Sequence, residues 1–214
     1  MPKPRVLLAD DHLLVLEGFR RILEGQYELV GAVEDGRALL DAAKELQPDI
    51  VILDVSMPLL NGIDAAAQLK KICPGTKIII VTMHADKEYI RSAFEAGASA
   101  YVLKRSAVDE LDQAIRAALA GHSYITSLIT KDMLNVFLST ASETALGAHR
   151  LTTRQREVLQ LLAEGRTAKE IANLLTISSR TVEFHKSQIL TQLNLQTTAD
   201  LIKYALTHGI TPAS

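Results

Sequence analysis

The chain has 214 residues, of which 48% are hydrophobic and 22% charged, with a formal net charge of −2. This balance excludes wholesale disorder, and the length allows one large core or two smaller ones. Charge is uneven: residues 1–121 carry 14 Lys/Arg against 18 Asp/Glu, residues 122–148 carry 1 against 2, and residues 149–214 carry 8 against 5. An acidic part followed by a mildly basic one points to an anion-binding module at the C-terminal end.

Short runs rich in Val, Ile and Leu recur at residues 5–10, 27–33, 49–55, 77–83 and 100–104. Between them the apolar residues take a helical period, as in Val15, Phe19, Ile22 and Leu23, or Ile90, Ala93, Phe94 and Gly97. Five strands apolar on both faces, alternating with five helices, predict a doubly wound α/β domain with a parallel sheet. The fifth helix is expected from Ser106 to about Ala120, with Leu111, Ala114, Ile115, Ala118 and Leu119 on one face and Gly121 as its stop. Residues 124–138 are read as a further helix, and the small, polar residues 139–149 as a linker.

From Leu151 onward every pattern is helical. Thr152 with Gln155 and Thr167 with Glu170 form capping boxes, and Val158, Leu159 and Leu162 make an apolar face before Gly165. A third helix runs from Arg180 to about Leu193 and a fourth from Thr198 to His208, ended by Gly209. The tight turn at Thr176 to Ser178 makes a helix-turn-helix, a second, smaller all-α domain. The expected organisation is residues 1–121 as the α/β domain, 122–148 as a linker with a helix, and 149–214 as the helical domain.

The carboxyl ends of parallel strands share one edge, so groups distant in sequence converge on one crevice. Asp10 and Asp11, Asp54, Thr82 and Lys104 each stand at such an end. Asp10, Asp11 and Asp54 would repel one another without a cation, and carboxylates with water suit magnesium, a hard ion with octahedral preference. Lys104 and the Thr82 hydroxyl can bind phosphate oxygens, and the Asp54 carboxylate can become an aspartyl-phosphate. An aspartyl-nucleophile phosphohydrolase of the haloacid dehalogenase type is the enzyme alternative. That class wants a second acid two residues after the nucleophile, where Ser56 stands here.

At these spacings residues 5–121, including Met57-Pro58 and Gly62 after Asp54, resemble the receiver domain of two-component response regulators. The resemblance implies a flavodoxin-like fold, a cognate sensor histidine kinase as partner, and Asp54 as phosphoacceptor. It further implies Mg²⁺ ligated directly by Asp11, Asp54 and the Ser56 carbonyl, with Asp10 acting through water. Thr82 and Tyr101 would be the switch pair and Lys104 the phosphate contact, in a protein that is not an enzyme beyond self-dephosphorylation. Ser56 and His84 lie beside the site, where receivers tune phosphate lifetime. One residue departs from the pattern: Arg105 follows Lys104 where receivers usually have proline, often across a cis bond that costs a non-proline residue about 3 kcal/mol.

The stretch from Leu151 to Leu195, with Thr152, Arg154, Glu157-Val158-Leu159, Gly165, Glu170-Ile171-Ala172, Leu175, Thr181-Val182, His185 and Leu193, resembles the LuxR-type module of NarL/FixJ response regulators. The resemblance implies a phosphorylation-controlled transcriptional regulator whose helix from Arg180 enters the major groove of double-stranded promoter DNA. Glu183, Phe184 and Ser187 would face bases, with Lys169, Arg180, Thr181 and Lys186 on phosphates. Val182 and Ile189 are read as core. The helix carrying Leu201, Tyr204 and Ala205 would be the homodimer contact. A ligand-sensing LuxR-type regulator lacks a use for the crevice, and a constitutive DNA binder lacks a reason for its complete set of residues. The single cysteine, Cys73, the absence of a leader before the first strand and the absence of a membrane-length apolar run lead us to expect a soluble, cytoplasmic protein.

Overall fold

The structure, a computed structural model, describes residues 2–129 and 151–211. The chain divides into two units. The first is built on strands β1 (Arg5–Ala9), β2 (Glu28–Val33), β3 (Ile50–Leu53), β4 (Lys77–Thr82), β5 (Ala100–Leu103) and β6 (Tyr124–Ile125). All pairs are parallel, in the order β2-β1-β3-β4-β5-β6. Helices α1 (Leu13–Leu23), α2 (Gly36–Leu46), α3 (Gly62–Ile72), α4 (Lys87–Glu95) and α5 (Ala107–Leu119) make the crossovers. Every residue of β3 and β5 is buried, which is why these strands are unbroken apolar runs rather than alternating ones. On one face Leu16, Phe19 and Leu23 of α1 and Leu111, Ala114, Ile115 and Ala118 of α5 pack on Val6, Leu8, Ile50, Ile52, Ile79 and Val81.

The sheet has six strands where the sequence pattern predicts five. Gly121, at φ +84°, turns the chain after α5, and the His122 amide closes the turn on the Ala117 carbonyl at 2.9 Å. Tyr124 and Ile125 then pair with Ala100 and Tyr101 along the open edge of β5. Two residues are too few to show a strand period, so this element is invisible in the sequence. Tyr124 and Ile125 therefore do not start the helix expected over 124–138, but residues 127–129 of that stretch are helical. The remainder of that stretch from residue 130, and the linker expected at 139–149, lie outside the described residues.

The second unit comprises α6 (Thr153–Ala163), α7 (Ala168–Leu175), α8 (Ser179–Gln192) and α9 (Thr198–Thr207). Both expected capping boxes form, Thr152 with Gln155 and Thr167 with Glu170. A third joins Thr197 to Asp200, which the Ser/Thr-x-x-Glu/Gln signature does not cover. Val158, Leu159, Leu161, Ile171, Val182, Ile189, Leu201 and Ala205 are fully buried in one core. The turn between α7 and α8 places Thr176 in the left-handed region at φ 54°, and Ser178 caps α8 by accepting the Thr181 amide at 3.1 Å. Among the described residues, no helix is long and apolar enough to cross a membrane. The Thr197 cap sets the start of α9, so Thr197→Ala should lower the stability of the helical unit by about 1 kcal/mol, read from urea unfolding followed by helicity.

Candidate functional site

β1 and β3 are neighbours, and the chain leaves them in opposite directions across the sheet, so a crevice opens where their carboxyl ends meet. Asp10 and Asp54 are the first residues past those two strands, and the Asp54 amide donates to the Ala9 carbonyl at 3.0 Å. Gly62, at the start of α3, lets the loop after β3 fold back on itself. A Cβ there would lie 1.9 Å from the Asp54 carbonyl oxygen, and the Gly62 amide donates to the Val55 carbonyl at 2.9 Å. Gly62→Ala must therefore push the Asp54 backbone out of place.

The crevice holds a dense set of charges. Ligand atoms of Asp10, Asp11, His12 and Asp54 all lie within 4.8 Å of one another. Lys104, from the turn after β5, places its Nζ 2.7 Å from Asp10 Oδ2 and 2.8 Å from Asp54 Oδ2. The second Asp54 oxygen accepts the Val55 amide at 2.6 Å. His12 sits 2.7 Å from Asp11 through its Nδ1 and caps Asp10 Oδ1 with its amide at 2.9 Å. Burial raises the Asp10 carboxyl above its ordinary value, against the opposing pull of Lys104 and the His12 amide. Burial alone would lower the Lys104 ammonium, but Asp54 and Asp10 outweigh it and the net shift is upward. The three carboxylates, with the His12 ring beside them, outnumber the one ammonium and offer the oxygen donors that a hard divalent cation requires.

Beside the acids, Ser56 Oγ lies 2.9 Å from His84 Nε2, and the His84 ring stacks on Tyr89 with centroids 4.3 Å apart. Tyr101 is fully buried, its hydroxyl donating to the His84 carbonyl at 3.0 Å, and Thr82 is fully buried with its Oγ1 accepting the His84 amide at 3.3 Å. Burial, then the neighbouring Tyr89, Asp54 and Asp86, push the Tyr101 phenol upward, so it stays a proton donor. The structure thus brings Asp10, Asp11, Asp54, Ser56, Thr82 and Lys104 to one edge. Tyr101 reaches the same edge only through the His84 backbone. His12 was missed by the sequence reading, although its place directly after Asp11 was a usable signal. Arg105 does not distort the loop: Lys104–Ser106 form a 3-10 turn, no cis peptide occurs among the described residues, and Lys104 still reaches both acids.

On the helical unit, Lys169, Arg180, Glu183, Phe184 and Ser187 are exposed, while Thr181 and Lys186 are half-buried. Phe184 is 58% exposed, a phenyl ring left in solvent on the helix that follows the tight turn. Glu183 is 4.0 Å from Lys186, and the Thr181 hydroxyl is engaged 2.8 Å from Ser178 Oγ within the cap. Leu201 and Ala205, expected at a dimer contact, are not on an open face. Leu201 and Ala205 are fully buried in the unit's own core, because on α9 they share the inward stripe. Tyr204 is half-buried against that core and stacks on His208 at 3.9 Å. The outward side of α9 carries Lys203 and Leu206, the latter 45% exposed.

A parallel sheet with an acidic crevice at its carboxyl edge, joined in one chain to a helix-turn-helix unit, defines a receiver with a DNA-binding output. Residues 6–116 match the response regulator receiver domain, and residues 149–205 match the luxR family of bacterial regulatory proteins. The transcriptional regulatory protein MctR of Rhizobium johnstonii is 36% identical over 211 residues, covering 98% of this chain and 96% of that one. The oxygen regulatory protein NreC of Staphylococcus epidermidis is 36% identical over 210 residues, covering 94% and 96%. The Salmonella typhimurium RcsB response regulator aligns with a TM-score of 0.66 at 28% identity over 99% of this chain and 100% of that one. An RcsB–DNA complex aligns with a TM-score of 0.59 at 28% identity, covering 94% and 97%. The chain belongs to the two-component response regulators of the NarL/FixJ family, and it is a DNA-binding transcriptional regulator.

The raised Asp10 group gives a pH prediction. A carboxyl whose folded pKa lies above its unfolded value adds stability below about pH 4, and loses that contribution as pH rises through the folded value. Ionised Asp10 therefore costs stability at neutral pH when no cation is present. Asp10→Asn should raise the melting temperature of metal-free protein at about pH 7.5, with the difference shrinking toward about pH 4. A pH series of thermal melts in chelator checks both the sign and the trend.

Proposed function

We propose that the Asp54 carboxylate accepts a phosphoryl group from a sensor histidine kinase, and that the modified receiver controls binding of the helical unit to promoter DNA. The observation that carries this reading is the 2.8 Å pair of Asp54 with Lys104 inside a cluster of acids at one sheet edge. The Asp54 oxygen attacks the phosphorus of a phosphohistidine. A P–O bond forms as the P–N bond breaks, and the leaving imidazole takes up a proton. Lys104 and the Thr82 hydroxyl then hold phosphoryl oxygens, and Tyr101 with Thr82 carries the change across the sheet edge. Asp11, Asp54 and the Ser56 carbonyl would hold Mg²⁺, with Asp10 acting through water. Bound there, Mg²⁺ would neutralise the crowded carboxylates and the incoming phosphoryl charge. The protein works as a switch and not as a phosphohydrolase, because Ser56, not an acid, stands two residues after Asp54.

On DNA, α8 enters the major groove. Glu183, Phe184 and Ser187 face bases, and Lys169, Arg180, Thr181 and Lys186 lie along phosphates. A module of +3 charge neutralises few phosphates, so two modules on a repeated half-site bind far better than one. The exposed part of α9 is the dimer contact in place of Leu201 and Ala205, with Lys203 and Leu206 on its outward side and Tyr204 at its half-buried edge. This division of labour assigns residues 1–121 to the receiver and 149–214 to the DNA-binding domain, in a cytoplasmic protein.

Incubation with a small phosphodonor such as acetyl phosphate should yield one acid-stable, base-labile phosphoryl group on the wild type and none on Asp54→Asn, read by intact mass. Equal labelling of both would remove Asp54 from its role. Ser56→Ala and His84→Ala should alter the rate of phosphoryl loss more than the rate of its gain, because their 2.9 Å contact flanks the acid without touching the attacking carboxylate. In a binding-site selection, Glu183→Ala should relax the preference at one base position, and an unchanged preference would place Glu183 outside the readout.

A further inference from the structure

Glu110, in the first turn of α5, is a buried carboxylate with no part in the metal and phosphoryl chemistry described above. Its two oxygens are fully engaged by hydroxyl donors. Thr126 donates to Oε2, and Ser106 Oγ lies 3.4 Å from the same atom. Ser127 donates to Oε1 through its hydroxyl at 2.6 Å and through its amide at 3.3 Å. Burial pushes Glu110 up, but the hydrogen bonds from Ser127, Thr126 and Tyr124 more than offset it and leave the group below the ordinary glutamate value.

With its single proton given to Glu110, the Thr126 hydroxyl is left to accept from Ser106, 2.9 Å away. Ser106 Oγ also lies 3.1 Å from the Leu103 carbonyl, so its one proton is shared between Thr126 and the backbone of the turn that it ends. The Thr126 amide donates to the Tyr101 carbonyl at 2.9 Å, extending the β6 pairing with β5. One carboxylate therefore joins the turn that carries Lys104, the strand that carries Tyr101, and the segment where the chain leaves the sheet. Arg105 brings no proline ring to restrict this turn, which leaves the bonds around Ser106 to hold it beside the pairs that Lys104 makes with Asp10 and Asp54.

We propose that Glu110 is a positioning residue for the phosphoryl clamp: through Ser106 and Thr126 it holds the Lys104–Ser106 turn against β6 and so fixes the Lys104 ammonium over Asp54. The proposal rests on reading Asp54 and Lys104 as the phosphoryl site. An amide at this position accepts on one side only, so Glu110→Gln keeps the volume but leaves one hydroxyl facing a donor.

The test measures Mg²⁺ affinity and beryllofluoride affinity of the full chain separately, by calorimetry and by the ¹⁹F signal of bound fluoride. Glu110→Gln should lower beryllofluoride affinity about three- to tenfold and should not lower Mg²⁺ affinity, because Lys104 competes with the cation for Asp10 and Asp54 rather than ligating it. In a Lys104→Ala background the same substitution should have no further effect. Unchanged beryllofluoride affinity, a parallel loss of Mg²⁺ affinity, or an equal loss in the Lys104→Ala background would each overturn the proposal. Should Glu110→Gln fail to fold, Ser127→Ala, which removes one exposed hydroxyl, carries the test with an expected loss of about twofold. Failure of the wild type to bind beryllofluoride at all would instead refute the phosphoryl-site reading itself.

Discussion

The rest of the receiver depends on one half-buried ammonium. Lys104 bridges Asp10 and Asp54 at 2.7 and 2.8 Å, and without it two adjacent strands would end in mutually repelling, desolvated carboxylates. Even with it the balance is incomplete, since burial still holds Asp10 above its ordinary value. Residual negative charge gives the crevice the chemistry that a divalent cation requires, at a cost in stability that other parts of the fold absorb. The apolar strands buried on both faces do that, and they also aim the acids at one edge.

The sequence made much of this legible for a physical reason. Strands buried on both faces are unbroken apolar runs, and the residues that end them are easy to see, so the strand-end positions of Asp10, Asp11, Asp54, Thr82 and Lys104 are legible in the sequence. Contacts made across the fold were less visible. His12 is exposed and reads as an ordinary surface residue until its ring is found 2.7 Å from Asp11. The two residues of β6 have no period, and the Glu110 knot joins residues up to 20 positions apart through single hydroxyls. Leu201 and Ala205 failed for a different reason. A family position says which helix meets a partner but not which face, and burial puts both side chains in the core.

The helical unit follows a simpler logic. Three capping boxes and a left-handed Thr176 fix where its helices start and how α7 turns into α8. Val182 and Ile189 anchor α8 from below, which leaves Arg180, Glu183, Phe184 and Ser187 in solvent on a helix that is otherwise well held. A rigid helix with an exposed phenyl and mixed charge suits reading a groove better than forming a core.

The central claim is that charge added at Asp54 changes the affinity of the helical unit for DNA. Shifting a two-state population from 1:99 to 99:1 requires about 5.5 kcal/mol of differential stabilisation, so even partial coupling is measurable. The most direct measurement is a mobility-shift titration of the full chain on its selected DNA site, with Mg²⁺ alone and with Mg²⁺ and beryllofluoride. The account predicts at least about tenfold tighter binding with beryllofluoride, lost in Asp54→Asn. Equal affinity in both conditions, with beryllofluoride shown to be bound, would contradict it.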